Sequence, residues 1–188
     1  MKDSQNYSKS NDYGKFIMTR YDHYYETVNN KGMFYLTFNT FFLAGWFTLL
    51  NIESSVLLTK ENIALIMIFA LGKIFVLCGI ICGICSLFHS LKAVNPFLKS
   101  ELDNKSLLFF FSVAKRKQET YIRKLLSVTE QEMNKDIAKQ IHILAEGLTG
   151  KFSQLNIASQ YILNQIYCMI IYLIFFLVDK VIIKNFFS

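Results

Sequence analysis

Three long apolar segments break this sequence, at residues 33–50, 63–91 and 161–183, and a polar, basic stretch over residues 92–160 separates the second from the third. A bilayer core admits backbone only where its polar groups bond internally, so helices and closed barrels are the structures that cross it. A crossing helix takes about 20 mostly apolar residues, and each segment is near or beyond that length. Barrel strands would instead alternate over about ten residues. The expected fold is an all-α membrane protein: three transmembrane helices with a cytoplasmic helical insert between the second and third. That layout suits a device that senses on one side of a bilayer and acts within it.

Composition agrees. Hydrophobic residues make up 53% of the 188, with Phe at 18 and Pro at 1, and a soluble domain would not gather them into three blocks. Residues 1–30 are polar, so the first apolar block reads as an internal anchor rather than a cleaved signal. Lys and Arg mark cytoplasmic loops. Five precede the first span, one lies in 51–62, eleven lie in 89–160 and two follow residue 178. This split places the N-terminus and the insert in the cytoplasm and the C-terminus outside, as three spans require.

Within the spans, Cys78, Cys82, Cys85 and Cys168 are expected to behave as small hydrophobes. Trp46 reads as an interfacial anchor. Asn39 is a polar residue inside the first span. Gly79 and Gly83 form a GxxxG, which lets helix backbones approach where lipid offers no hydrophobic drive; the partner helix belongs either to the same chain or to a second subunit. Lys73 lies inside the second block. It either snorkels to the outer surface or serves in mid-membrane as a pairing or pore-lining group.

Outside the spans, residues 1–13 read as a mobile polar tail and 14–31 as a cytoplasmic helix, with Asn29-Asn30-Lys31-Gly32 at the membrane edge as a turn or as a polar collar on one continuous helix. Residues 92–105 read as a loop containing Pro96, and 92–160 as a helical sensor region. Residues 107–114 are apolar but too short to span, and 115–127 form a basic helix. Thr129 and Glu132 have capping-box spacing. The helix they start carries a stripe of Ile137, Ile141, Leu144, Leu148, Phe152 and Leu155, which most simply packs on 115–127 and Phe109–Phe111. No Pro follows, so this helix is expected to run on into the third span.

No HExxH, phosphate loop, GxSxG or zinc spacing is present, and the expectation is that the chain is not an enzyme, with no catalytic residue and no metal. A small anionic ligand is easier to argue. Arg20, Tyr24 and Lys31 share a face of the first helix with His23 nearby, and Lys115, Arg116, Arg123 and Lys151 come from the insert. Cations can clasp a phosphate while Tyr or His stacks on a base. The other reading is that these cations meet lipid headgroups.

The chain resembles the transmembrane effectors of Pycsar anti-phage systems. The resemblance rests on the stretch from Tyr21 through Asn29, Asn30 and Lys31 into the first span, on Leu107–Ala114 (LLFFFSVA), and on Asp136–His142 through Lys151 and Phe152 before the last span. It implies a cyclic pyrimidine nucleotide, cyclic UMP or cyclic CMP, as activating ligand. A pyrimidine nucleotide cyclase is the functional partner, and no nucleic acid is bound. Sensing in the cytoplasm then impairs or permeabilises the bacterial inner membrane, so that growth stops or the cell dies. Three helices per chain do not readily enclose an aqueous path, so permeabilisation implies a homo-oligomer. The alternative is a ligand-independent channel or accessory membrane subunit whose insert docks a protein.

Overall fold

A computed structural model describes the backbone of residues 2–51, 63–96 and 106–187, and side chains over 9–51, 66–96 and 106–178. Five helices follow one another: α1 (Lys2–Asn51), α2 (Ile63–Val94), α3 (Phe110–Ala114), α4 (Gln118–Ser127) and α5 (Glu130–Phe187). No strand occurs among the described residues. The expected loop over 51–62 and most of that over 92–105 lie outside the described residues. α2 stops at Val94, just before the chain's one proline, Pro96. Proline disfavours helical geometry in the residue before it.

The backbone departs from the sequence expectations at its start: α1 begins at Lys2 and takes in the residues read as a tail, because nothing between Lys2 and Tyr13 breaks a helix. At Asn29-Asn30-Lys31-Gly32 the helix is continuous, the second of the two arrangements the sequence left open. Gly32 serves a close approach instead: a Cβ there would lie 2.6 Å from Val94 Cγ2.

The chain divides into two compact units. One holds residues 1–29 and 95–152, the other 30–94 and 153–188, so α1 and α5 contribute to both. In the first unit α1 and α5 run parallel. Gly14 meets Ile137 and Ile141, and the Tyr25 hydroxyl donates to the Leu144 carbonyl at 2.9 Å. The apolar stripe of α5 therefore packs on α1, not on 115–127 as its sequence suggested. A Cβ on Gly14 would sit 2.6 Å from Ile137 Cγ2, so the glycine is what lets the helices close. α4 buries no residue, and Phe110 and Phe111 stay exposed.

In the second unit α2 runs antiparallel to α1 and α5. The core is Trp46, Val76, Ile80 and Tyr172, with Phe75 stacked on Phe175 at 5.8 Å. Three helices are long and apolar enough to cross a membrane. Their outward faces carry Phe34, Phe41, Leu77, Ile81, Ile84 and Ile174, all exposed. Soluble monomers rarely expose apolar surface so continuously.

Candidate functional site

The first unit holds a cavity of about 500 Å³ where α4 faces the start of α5 and the 106–108 turn. Its polar lining is Ser106 from the turn, Tyr121, Lys124 and Ser127 from α4, and Glu132, Lys135, Asp136 and Lys139 from α5. Four bonds hold the turn: Asp136 Oδ2 accepts from the Leu107 amide at 2.8 Å, the buried Ser106 Oγ accepts from the Leu108 and Phe109 amides, each at 3.1 Å, and the Tyr121 hydroxyl donates to the Leu107 carbonyl at 3.5 Å. Glu132 is committed to the helix start. Its Oε2 accepts from the Thr129 amide and hydroxyl, each at 3.0 Å, and its own amide donates back to Thr129 Oγ1 at 3.3 Å. Those bonds from Thr129, backbone first, hold the Glu132 carboxyl below its ordinary range. With both carboxylates engaged, three lysines give the cavity a positive face beside Leu107, Leu125, Val128 and Met133. A cavity of this size, mostly apolar with a few polar groups, is typical of small-molecule sites.

The residues singled out from the sequence do not converge there. Arg20 Nε donates to Tyr24 Oη at 2.9 Å and the guanidinium lies 5.7 Å from the Tyr24 ring centroid; that bond raises the Arg20 pKa. Tyr24 also lines a shallow groove of about 300 Å³ with Tyr21, Ala145, Leu148, Thr149 and Phe152. His23 is exposed, 3.9 Å from Glu26. Lys151 is buried: its Nζ donates to Asn29 Oδ1 at 3.1 Å and lies 5.9 Å from the Tyr25 ring centroid. Burial lowers the Lys151 pKa and raises that of Tyr25. Asn29 and Lys151 thus tie α1 to α5. Lys115 caps α3, the Arg116 amide donates to Val113 at 3.0 Å, and Arg123 is exposed on α4. None of the three lines either cavity. Asn30 and Lys31 fall in the second unit, both exposed. The lining residues could have been found from two short spacings: Tyr121 with Lys124, and Lys135 with Lys139, each one turn apart on its helix.

In the second unit the glycine pair packs within the chain. A Cβ on Gly79 would lie 2.5 Å from the Trp46 indole, and one on Gly83 would lie 2.7 Å from Gln165 Nε2 and 2.8 Å from Leu43. Trp46 is fully buried against Gly79 rather than anchored at an interface, since the missing Cβ leaves a slot for its ring. Lys73 Nζ donates to the carbonyls of Leu49 and Leu50 at 2.9 and 2.6 Å. These belong to the last turn of α1, where a cation complements the helix dipole. Asn39 Nδ2 donates to Ser86 Oγ at 2.8 Å, and Ser86 donates to the Ala158 carbonyl at 2.9 Å, linking all three helices. Gln165 is fully buried, and neither its Nε2 nor its Oε1 has a hydrogen-bond partner among the described residues. An unpaired buried polar group costs about 1–3 kcal/mol.

The architecture is that of a multi-pass, all-helical membrane protein whose first unit carries a cavity of ligand size. A family model described as the Pycsar effector protein domain matches residues 13–178. The chain belongs to that family, which makes it an anti-phage membrane effector and implies a cyclic nucleotide signal. The domain is not a known enzyme family. No curated protein and no solved structure matches the chain.

Proposed function

We propose that this chain is a ligand-gated effector that binds a cyclic pyrimidine nucleotide, cyclic UMP or cyclic CMP, and then permeabilises the bacterial inner membrane. A cyclase answering phage infection supplies the nucleotide. The cavity between α4 and the start of α5 carries this reading. Lys124, Lys135 and Lys139 offer charge to the cyclic phosphate, Tyr121 offers a ring to the base, and the volume of about 500 Å³ admits one such molecule. Micromolar affinity needs about 8 kcal/mol, and charge-assisted hydrogen bonds supply about 1.5–3 each, so two or three contacts and one stacked ring suffice. The concentration of Lys and Arg in residues 1–31 and 89–160 supports a cytoplasmic position for that unit, with the C-terminus outside. A homo-oligomer encloses the aqueous path, and the cell arrests or dies.

The shallow groove beside Arg20 and Tyr24 is a second place for the nucleotide, favoured by the exposed guanidinium held on the phenol. A docking role for the insert draws support from the exposed Leu108, Phe110 and Leu126. Calorimetry on the purified full chain separates these. Cyclic UMP and cyclic CMP are titrated, with cyclic AMP and cyclic GMP as controls, against wild type, Lys135→Ala/Lys139→Ala and Arg20→Ala. Selective pyrimidine binding lost in the double lysine variant supports the cavity. Loss in Arg20→Ala alone moves the site to the groove. Binding of none of the four by the wild type sinks the sensor reading and leaves the docking role.

A further inference from the structure

The membrane unit is apolar outside and carries a polar seam beside its apolar core of Trp46, Val76, Ile80 and Tyr172. Asn39 on α1, Ser86 and Ser90 on α2 and Gln165 on α5 are all fully buried. Oδ1 of Asn39, Oγ of Ser90 and both amide atoms of Gln165 lack hydrogen-bond partners among the described residues. Asn39 and Ser86 pair across helices, as a bundle built to hold together requires; Ser90 and Gln165 do not, and such a bundle would place small or apolar groups at their positions. We infer that Asn39, Ser86, Ser90 and Gln165 form part of the lining of a path for small hydrated ions, dry in the closed bundle and wetted when α2 draws away from α1 and α5 and the opened seams of neighbouring copies in the homo-oligomer enclose the path together. The inference rests on the permeabilising reading above and assigns the residues and the permeant to it.

The seam has the placement such a path needs. Along α2 it runs from Gly83, against which Gln165 packs, through Ser86 to Ser90, roughly 10 Å at 1.5 Å per residue. Polar contact continues at the Ser90 end, where His89 Nδ1 lies 2.8 Å from Gln154 Oε1 and its ring stacks on Tyr161. At the other end the seam stops at Trp46, seated on Gly79 and packed with Val76, Ile80 and Tyr172. An apolar constriction of this kind closes a path by excluding water. The four lining side chains carry no charge, so the path takes small ions of either sign with weak preference. Gly79 and Gly83 keep the seam dry, since each allows α2 closer to its neighbours than any side chain would.

The test uses full-length protein in lipid vesicles loaded with potassium chloride, with cyclic UMP or cyclic CMP added. Gln165→Met keeps the length of the side chain and removes both unpaired atoms. The expected result is unchanged nucleotide affinity, a melting temperature a few degrees higher, and potassium leak slowed roughly tenfold or more by dewetting. Gln165→Glu places a charge on the path and shifts the reversal potential toward cations in planar bilayers, which a merely structural glutamine would not do. Wild-type leak rates in Gln165→Met, with unshifted selectivity in Gln165→Glu, would overturn the inference and leave permeabilisation standing. A wild type that binds nucleotide yet never leaks would overturn both.

Discussion

α1 and α5 each serve two units, and the side chains those units show outside and hold inside differ. In the unit of residues 1–29 and 95–152, the buried side chains include Val28, Ile137 and Leu148, while Arg20, His23 and Arg123 face outward. In the unit of residues 30–94 and 153–188, the outward faces are Phe, Leu and Ile, and Asn39, Ser86, Ser90 and Gln165 lie inside. The same kind of helix thus answers to two solvents. Water rewards apolar burial. Lipid gives helices no such drive, so closeness comes from glycines and hydrogen bonds across the bundle. On the proposed function, recognition and closure are carried by different chemistry, and mutations should separate them.

The largest separation is expected from Gly79→Ala. Its Cβ would meet the rigid Trp46 indole at 2.5–2.8 Å, and neither the ring nor the backbone can yield cheaply. Overpacking of this kind costs about 3 kcal/mol. The melting temperature in detergent should fall sharply while cyclic nucleotide affinity, read by calorimetry, holds. An equal loss of affinity would mean that the two units do not divide the work.

Lys135→Ala/Lys139→Ala is the converse. If one charge-assisted contact of about 2 kcal/mol is lost, affinity falls roughly 30-fold, and thermal stability stays within a degree or two. A drop in melting temperature matching that of Gly79→Ala would make these lysines structural.

The helices and the membrane class were legible because apolar run length and the scarcity of proline act locally. The capping box was legible for the same reason: Thr129 and Glu132 are three residues apart and bond as that spacing demands. Pairing between distant segments was not. Nothing in the α5 stripe says that Ile137 meets Gly14 rather than α4, since an apolar face accepts any apolar partner and a glycine leaves its mark only as a missing side chain. The arrangement of the candidate site was hidden for the same reason. Lys151 read as a cation from the insert able to clasp a phosphate, and its bond to Asn29, from a segment far off in the chain, could not be read from spacing. Lys135 and Lys139, lost among other surface lysines in the sequence, line the larger cavity.

Lys73→Met tests closure more gently. Removing the amine leaves the Leu49 and Leu50 carbonyls without the cation that caps them, a loss of about 1–2 kcal/mol. The melt in detergent should drop less than for Gly79→Ala, with nucleotide affinity unchanged. An unchanged melt, with altered ion selectivity in bilayers, would place the amine on the permeation path.

The smallest effect lies at the start of α5. Thr129→Ala removes the cap hydroxyl, worth about 1 kcal/mol, but leaves the Thr129-position amide that donates to Glu132. The Glu132 carboxyl is held below its ordinary value chiefly by that amide and secondarily by the hydroxyl. Its contribution is therefore fully present above the unfolded value, about 4.3, and is lost as pH falls through the lower folded value. Melts of the wild type should weaken across that acid window. Glu132→Gln should flatten this part of the profile, and Thr129→Ala should retain much of it. If Thr129→Ala flattened the profile as fully as Glu132→Gln, the hydroxyl rather than the amide would be what holds the carboxylate.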